Sequence, residues 1–397
     1  MAIRVGNKAE GDAFFDRVTE REDIWRHLEG NHIVLSGPRR LGKTSLLQRI
    51  AEEAAEKGIL ARLIDVEGID NAEAFIDQLS RAFPEESIKG YMQEIGARVT
   101  SWFERIRKME VKLPGGIGAG IEVQAIASTS WSSAAMHLQQ RVAPAPLLIL
   151  VDEFSVFLEK LLVKDKFEAV QLLGWLRAWR MTSGVACRFV FSGSIGFNTL
   201  LERYRLGTYF NDCYDFRLQP FRPAAALAML EEEARREGWQ VETTSLQHLC
   251  ARIGWLSPFY LNLLLDSSLE AGRDRELEEG NDERRLLQSD VDDAYDRLLA
   301  TRSRFVHWYQ RLEREIEEPE LSFALAVLAA IAKAENGLTR SQVLARLHRR
   351  EPDADVRGKR FDRIMLKLEE DGYLGMDGDR ILFLSFLLRD YWRRNHV

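Results

Sequence analysis

Apolar positions along the first third of the chain fall into two alternating kinds of run. Asn31-His-Ile-Val-Leu-Ser36 is short, apolar and β-branched, and Gly37-Pro38 ends it. From Lys43 the apolar spacing becomes helical and stops at Gly58. Ile59–Val66 reads as a second strand, with helical spacing after it at Ala72–Ala82 and Gln93–Lys108. Strands alternating with helices specify an α/β domain on a parallel sheet. Leu147–Val151 is apolar at every position and Cys187–Phe191 nearly so, as in strands covered on both faces. Between them Leu172, Leu173, Leu176 and Trp179 share one side of a helix.

Two other patterns interrupt and follow this one. Between Lys108 and Gln124, two alternating segments flank a run containing Gly116, Gly118 and Gly120. A dinucleotide fingerprint needs a helix after its glycines, and strand pattern follows here, so the run reads as a hairpin loop. After Phe221-Arg222-Pro223 helical spacing continues to about Glu317, with the charge-dense stretch Arg273–Arg285 expected as an exposed loop or frayed helix end. From Leu321 come a helix (Phe323–Ala334), a turn at Asn336-Gly337, a helix capped by Thr339, a helix (Val356–Asp371) and a hairpin around Asp377-Gly378. Three helices and a hairpin describe a winged helix-turn-helix. The expected division is a P-loop core over residues 1–220 with an insertion at about 84–127, an all-α lid over 221–317 and a winged helix over 318–397.

At 397 residues the chain is too long for one ordinary core. With 46% hydrophobic and 29% charged residues it has the composition of a well-packed protein. No apolar run is long enough to span a bilayer, and Met1–Glu10 has no signal-peptide core, so a cytoplasmic protein without a membrane partner is expected. Cys187, Cys213 and Cys250 are widely spaced and odd in number, which supports neither disulfides nor a cysteine zinc site. The seven histidines show no metal-binding spacing. Net charge is −7, but unevenly spread: from Asn336 onward there are 13 Lys and Arg against 10 Asp and Glu, a net +3, which leaves −10 for the rest.

The chemistry is concentrated after the first strand. Gly37, Pro38, Arg39, Arg40, Leu41, Gly42, Lys43 and Thr44, followed by Ser45, match the phosphate-binding pattern G-x-x-x-x-G-K-[ST] between a strand and a helix. Such a loop turns backbone N–H groups toward phosphates, and the helix N-terminus adds partial positive charge. Lys43 is expected on the β- and γ-phosphates and Thr44 on Mg²⁺. Arg39 and Arg40 either contact phosphate or a neighbouring subunit, or form a solvated loop face. Asp152, directly after Leu147–Val151, would hold the metal, and Glu153 would be the general base or orient the attacking water, unless the two acids merely cap the helix that follows. After the next strand, Ser194 either orients that water or caps the following helix.

Together Phe14-Phe-Asp-Arg17, the loop from Gly37 to Leu47, Leu147–Phe154 and Phe191–Ser194 resemble the prokaryotic and archaeal P-loop ATPases of the STAND class, relatives of AAA+ proteins. The resemblance covers most of the chain and implies an ATPase core, a helical lid and a C-terminal winged helix. By position it places Phe15 and Arg17 near the adenine. It makes Gly254-Trp-Leu-Ser-Pro258 similar to a lid motif whose proline packs on the nucleotide, although Pro258 equally suits the first turn of a helix. Many relatives carry Gly-Arg after the Ser-Gly-Ser strand, where this chain has Tyr209-Phe-Asn-Asp-Cys-Tyr-Asp215. Arg203, Arg205 and Arg217 lie nearby, and none can be assigned as an arginine finger.

The resemblance implies an ATP- and ADP-binding, Mg²⁺-dependent switch acting on a protein partner or on its own copies. One rival is a DNA-handling AAA+ ATPase resembling replication initiators or transposition ATPases; the other is a scaffold locked on its nucleotide. On the third winged-helix helix, Phe361, Ile364, Met365 and Leu368 define the buried side and turn Lys359, Arg360, Arg363 and Lys367 outward. DNA binding through this face is not favoured, because acids rim it and the rest of the chain is acidic.

Overall fold

Five parallel strands carry the first half of the chain: β1 (His32–Ser36), β2 (Leu60–Asp65), β3 (Leu147–Asp152), β4 (Cys187–Ser192) and β5 (Cys213–Arg217). Their order is β2-β3-β4-β1-β5. The computed structural model describes residues 15, 17–95, 130–143, 145–182, 186–193, 196–301 and 305–396. The expected hairpin at Lys108–Gln124, the helix beyond residue 95 and Ser194 lie outside the described residues. Those described form two compact units. One takes the residues up to Gly37 and Lys43–Leu218; the other takes Pro38–Gly42 and the chain from Gln219.

In the first unit β3 and β4 are buried at every position, which accounts for their unbroken apolar runs. Helix α1 (Val18–Leu28) precedes β1. Parallel strands need crossovers, and helices supply them here: α2 (Lys43–Glu56), α3 (Ala72–Ala82), α4 (Glu85–Ile95), α5 (Ser132–Val142), α6 (Phe154–Lys164), α7 (Lys166–Arg180) and α8 (Gly196–Tyr204). Local caps set their starts. The Asn71 side chain accepts the Ala74 N–H at 2.9 Å before α3, and Asp165 accepts from Phe167 and Glu168 before α7. Register pairs Leu35 with Ser192 and Val151 with Phe191, so β1, β4 and β3 end level at one edge of the sheet. The sequence pattern does not announce β5, because Tyr214, Asp215 and Arg217 on this edge strand are exposed.

The second unit is mostly helical: α9 (Pro223–Arg236), α10 (Thr243–Ile253), α11 (Pro258–Glu279), α12 (Gln288–Ala300), α13 (Val306–Glu315), α14 (Glu320–Ala332), α15 (Arg340–Arg346), α16 (Ala354–Glu370) and α17 (Phe386–Asn395). Two short strands, β6 (Gln240–Val241) and β7 (Arg285–Leu286), pair in parallel. Three more, β8 (Leu338–Thr339), β9 (Leu374–Asp377) and β10 (Arg380–Phe383), form an antiparallel sheet in the order β8-β10-β9. With α14–α16 they make the winged helix-turn-helix. Thr339 and Gln342 form a reciprocal capping box at the start of α15.

Two sequence expectations are corrected here. Arg273–Arg285 is neither loop nor frayed end over its first half: α11 runs to Glu279, where Gly280 (φ 69°) caps it. Arg275 is ion-paired with Asp290 at 2.8 Å, and Glu276, buried, accepts the Arg284 and Arg285 N–H groups. Arg360 does not point freely outward. It lies over Phe323 and is paired with Glu320 at 3.1 Å and Glu351 at 3.2 Å. No helix among the described residues is long and apolar enough to cross a membrane.

Candidate functional site

At the level edge of the sheet, β1 delivers the chain to Gly37. With φ 150°, a Cβ there would stand 3.0 Å from the Leu218 carbonyl oxygen, so only glycine fits. Gly42, at φ 86°, turns the chain into α2. Between them Arg40 is also left-handed, with φ 69°. Left-handed residues set among ordinary ones turn successive N–H groups toward one side, a concavity that suits anions.

Lys43 opens α2 and is buried, and its Nζ donates to the Gly37 carbonyl at 2.8 Å. Next to it, Thr44 Oγ1 donates to Asp152 Oδ2 at 2.6 Å. Asp152 is the last residue of β3 and is 2% exposed; its Oδ1 accepts the Glu153 N–H at 3.1 Å. Glu153 is half-buried and left-handed (φ 55°, ψ 31°) at the start of α6. That conformation costs a non-glycine residue about 1–2 kcal/mol, and such strain concentrates at functional sites. One strand over, Ser192 Oγ is buried without a hydrogen-bond partner among the described residues. The Gly193 N–H then donates to the Leu35 carbonyl at 3.0 Å, and a Cβ on Gly193 would press on Ser155 at 3.1 Å.

Sequence reasoning missed Asp215 on β5. It accepts from Ser36 Oγ and from Asn198 Nδ2, each at 2.9 Å, and so ties the end of β1 to α8. Of the residues carried over by resemblance, Phe15 is half-buried. Arg17 is buried and donates to Glu20 at 2.8 Å, in a left-handed turn before α1. Arg203, Arg205 and Arg217 are exposed. Burial pushes the Cys213 thiol up to about 12, which makes it inert. Among the described residues no group of three or more His, Cys, Asp or Glu could hold a metal ion.

The loop tip Pro38–Gly42 packs within the second unit. Leu41 is buried there. Arg39 Nε lies 3.5 Å from Asp371, which also accepts from Arg311 at 3.1 Å. The Arg40 guanidinium stands 3.7 Å from the Phe259 ring centre and 4.4 Å from that of Trp308, which rules out the solvated-loop alternative for this residue. Ser257, the residue before Pro258 and the N-cap of α11, does not cap its helix; its Oγ donates to the Arg40 carbonyl at 2.7 Å. Pro258 occupies the first turn of α11. An N-cap hydroxyl that bonds outside its own helix is a feature that the sequence alone does not carry. Ser45 continues α2 and is half-buried.

No protein-family model and no curated protein matches the chain. Solved structures do. A Walker-type ATPase of Pyrococcus abyssi is 15% identical, with 99% of this chain and 100% of that one covered at a TM-score of 0.60. The ORC2 protein of Aeropyrum pernix, solved as ADPNP and ADP complexes, is 12% identical over 97% of each chain at a TM-score of 0.53. At these identities the likeness concerns the fold: a P-loop NTPase core followed by helical and winged-helix parts.

Proposed function

We propose that the chain binds ATP with Mg²⁺, hydrolyses it slowly to ADP, and works in the cytoplasm as a STAND-like switch on a protein partner or on its own copies. Its functional parts are then the core (1–220), the lid (221–317) and the winged helix (318–397). The observation that carries this reading is the 2.6 Å contact between Thr44 Oγ1 and Asp152 Oδ2, which lie 108 positions apart in the sequence. A phosphate loop on one strand and an acidic pair on another, with β4 between them, meet at one sheet edge.

The hydroxyl and carboxylate oxygens of Thr44 and Asp152 are hard donors of the kind that Mg²⁺ takes. Bound there with ATP, the ion would neutralise phosphate charge. Lys43, already buried at the loop, would exchange its Gly37 carbonyl for phosphate oxygens. Glu153, held beside Asp152 by a strained backbone, would accept a proton from the attacking water or orient it. Ser194 is proposed to orient that water, and the Gly42, Thr44 and Ser45 N–H groups would line the phosphates. Phe15, Arg17 and Pro258 are proposed on the nucleotide by resemblance alone.

The test pairs two variants of the full chain. Lys43→Ala should lose binding of a fluorescent ATP analogue. Glu153→Gln should keep binding and slow phosphate release by about a hundredfold or more. A Glu153→Gln protein that turns over like the parent, or a Lys43→Ala protein with unchanged affinity, would overturn the assignment.

A further inference from the structure

Arg40 is held twice over. Its guanidinium lies against Phe259 and Trp308, and its own carbonyl accepts the Ser257 hydroxyl. Its backbone meanwhile adopts the left-handed conformation, φ 69°, at the middle of the loop. Glycine would take this conformation freely; an unsupported arginine disfavours it by about tenfold. We propose that Arg40 is a positioning residue of the phosphate loop, kept left-handed by Phe259, Trp308 and Ser257, so that the packing state of α11 and α13 sets nucleotide affinity. The inference rests on the phosphate-site reading given above.

Three observations carry it. First, the contacts grip side chain and main chain of one residue, so they define its backbone torsions as well as its location. Second, the grip is specific: a cation stacked on two aromatic rings in a partly dry environment is stronger than at an open surface, and burial lowers the Arg40 pKa. Third, the neighbour Arg39 adds an ion pair to Asp371, just beyond the end of α16, so the tip is tied to the winged helix as well. Coupling of this kind is reciprocal. Nucleotide that orders the loop would in turn favour the packed state of the aromatic pair, which gives the proposed switch a physical relay.

The experiment is equilibrium titration of full-length protein with a fluorescent ATP analogue and Mg²⁺. Arg40→Ala keeps the backbone penalty and loses the side-chain part of the grip, and should bind about tenfold more weakly. Arg40→Gly loses both the penalty and the side-chain part of the grip, and should recover most of that loss. Phe259→Ala should weaken binding in the parent but add little in the Arg40→Gly background, whereas Phe259→Tyr, which keeps the ring, should stay near the parent. A merely structural role for Phe259 predicts equal losses in both backgrounds, and that result would overturn the inference. So would an Arg40→Ala protein that binds like the parent, or an Arg40→Gly protein as weak as Arg40→Ala. If the parent itself does not bind the analogue, or if Lys43→Ala binds it equally well, the phosphate-site reading fails and takes this inference with it.

Discussion

His32 shows how much a single buried residue can decide. It opens β1, and its ring is packed so that Nδ1 accepts the Phe189 N–H at 3.1 Å while Nε2 lies 3.4 Å from the Arg180 carbonyl. The neutral ring with its proton on Nε2 satisfies both contacts, whereas a second proton would face an N–H. Burial, with the Arg180 and Arg188 cations nearby, holds its pKa well below 6.5. In the unfolded chain the ring protonates near its ordinary value, so the unfolded state takes up the proton first as pH falls. The contribution to stability is therefore intact above about pH 6.5 and declines below it. Chemical denaturation should show a loss of about 1 kcal/mol between pH 7.5 and 5.5, and His32→Gln should flatten that slope. An equally steep slope in the variant would place the titrating group elsewhere. Lys43, Thr44, Asp152 and Glu153 were legible in the sequence as candidates because the phosphate-loop pattern and the acidic pair are defined by residue type and spacing. The partners of Arg40 were not, because Ser257, Phe259 and Trp308 come from distant segments that no local pattern pairs with the loop.

Elements were legible where burial is two-sided or periodic. The interior strands β3 and β4 and the helix α16 carry their partners' cover in their own apolar spacing. Exposed β5 and the charged end of α11 do not, because hydrogen bonds and ion pairs, not apolar cover, hold them. Glu276 is the decisive residue at the end of α11. It is 4% exposed, and its carboxylate accepts the N–H groups of Arg284 at 3.1 Å and Arg285 at 3.0 Å, which returns the chain toward β7. Glu276→Ala leaves two backbone donors without their acceptor and should cost about 1–3 kcal/mol of stability. Glu276→Gln keeps one acceptor oxygen and should cost less. Denaturant midpoints of the two variants check the order, and equal losses would mean that packing, not the hydrogen bonds, holds the turn.

At the scale of the whole molecule, charge is where the proposed switch and the DNA-handling alternative predict different behaviour. The chain carries −7, with a net +3 confined to the residues from Asn336 onward. A recognition helix would need the basic face of α16, and the structure spends much of that face internally. Arg360 is matched by Glu320 and Glu351, Arg363 lies 3.6 Å from Glu320, and Arg340 of α15 is paired with Asp362. Asp377 and Asp379 stand at the wing turn, where a phosphate backbone would approach. Each cation already paired releases fewer counterions on meeting DNA, so few phosphate contacts remain to drive association. Duplex binding should therefore be weak, roughly 10⁻⁴–10⁻⁶ M at physiological salt, with a shallow dependence on salt. Fluorescence anisotropy on random duplexes across a salt series measures both quantities. Glu320→Gln, which frees Arg363 and removes one of the two carboxylate partners of Arg360, should tighten binding and steepen the salt slope if those pairs are what masks the face. Nanomolar binding by the parent, lost in a Lys359→Ala and Arg363→Ala double variant, would instead promote the DNA-handling reading over the switch.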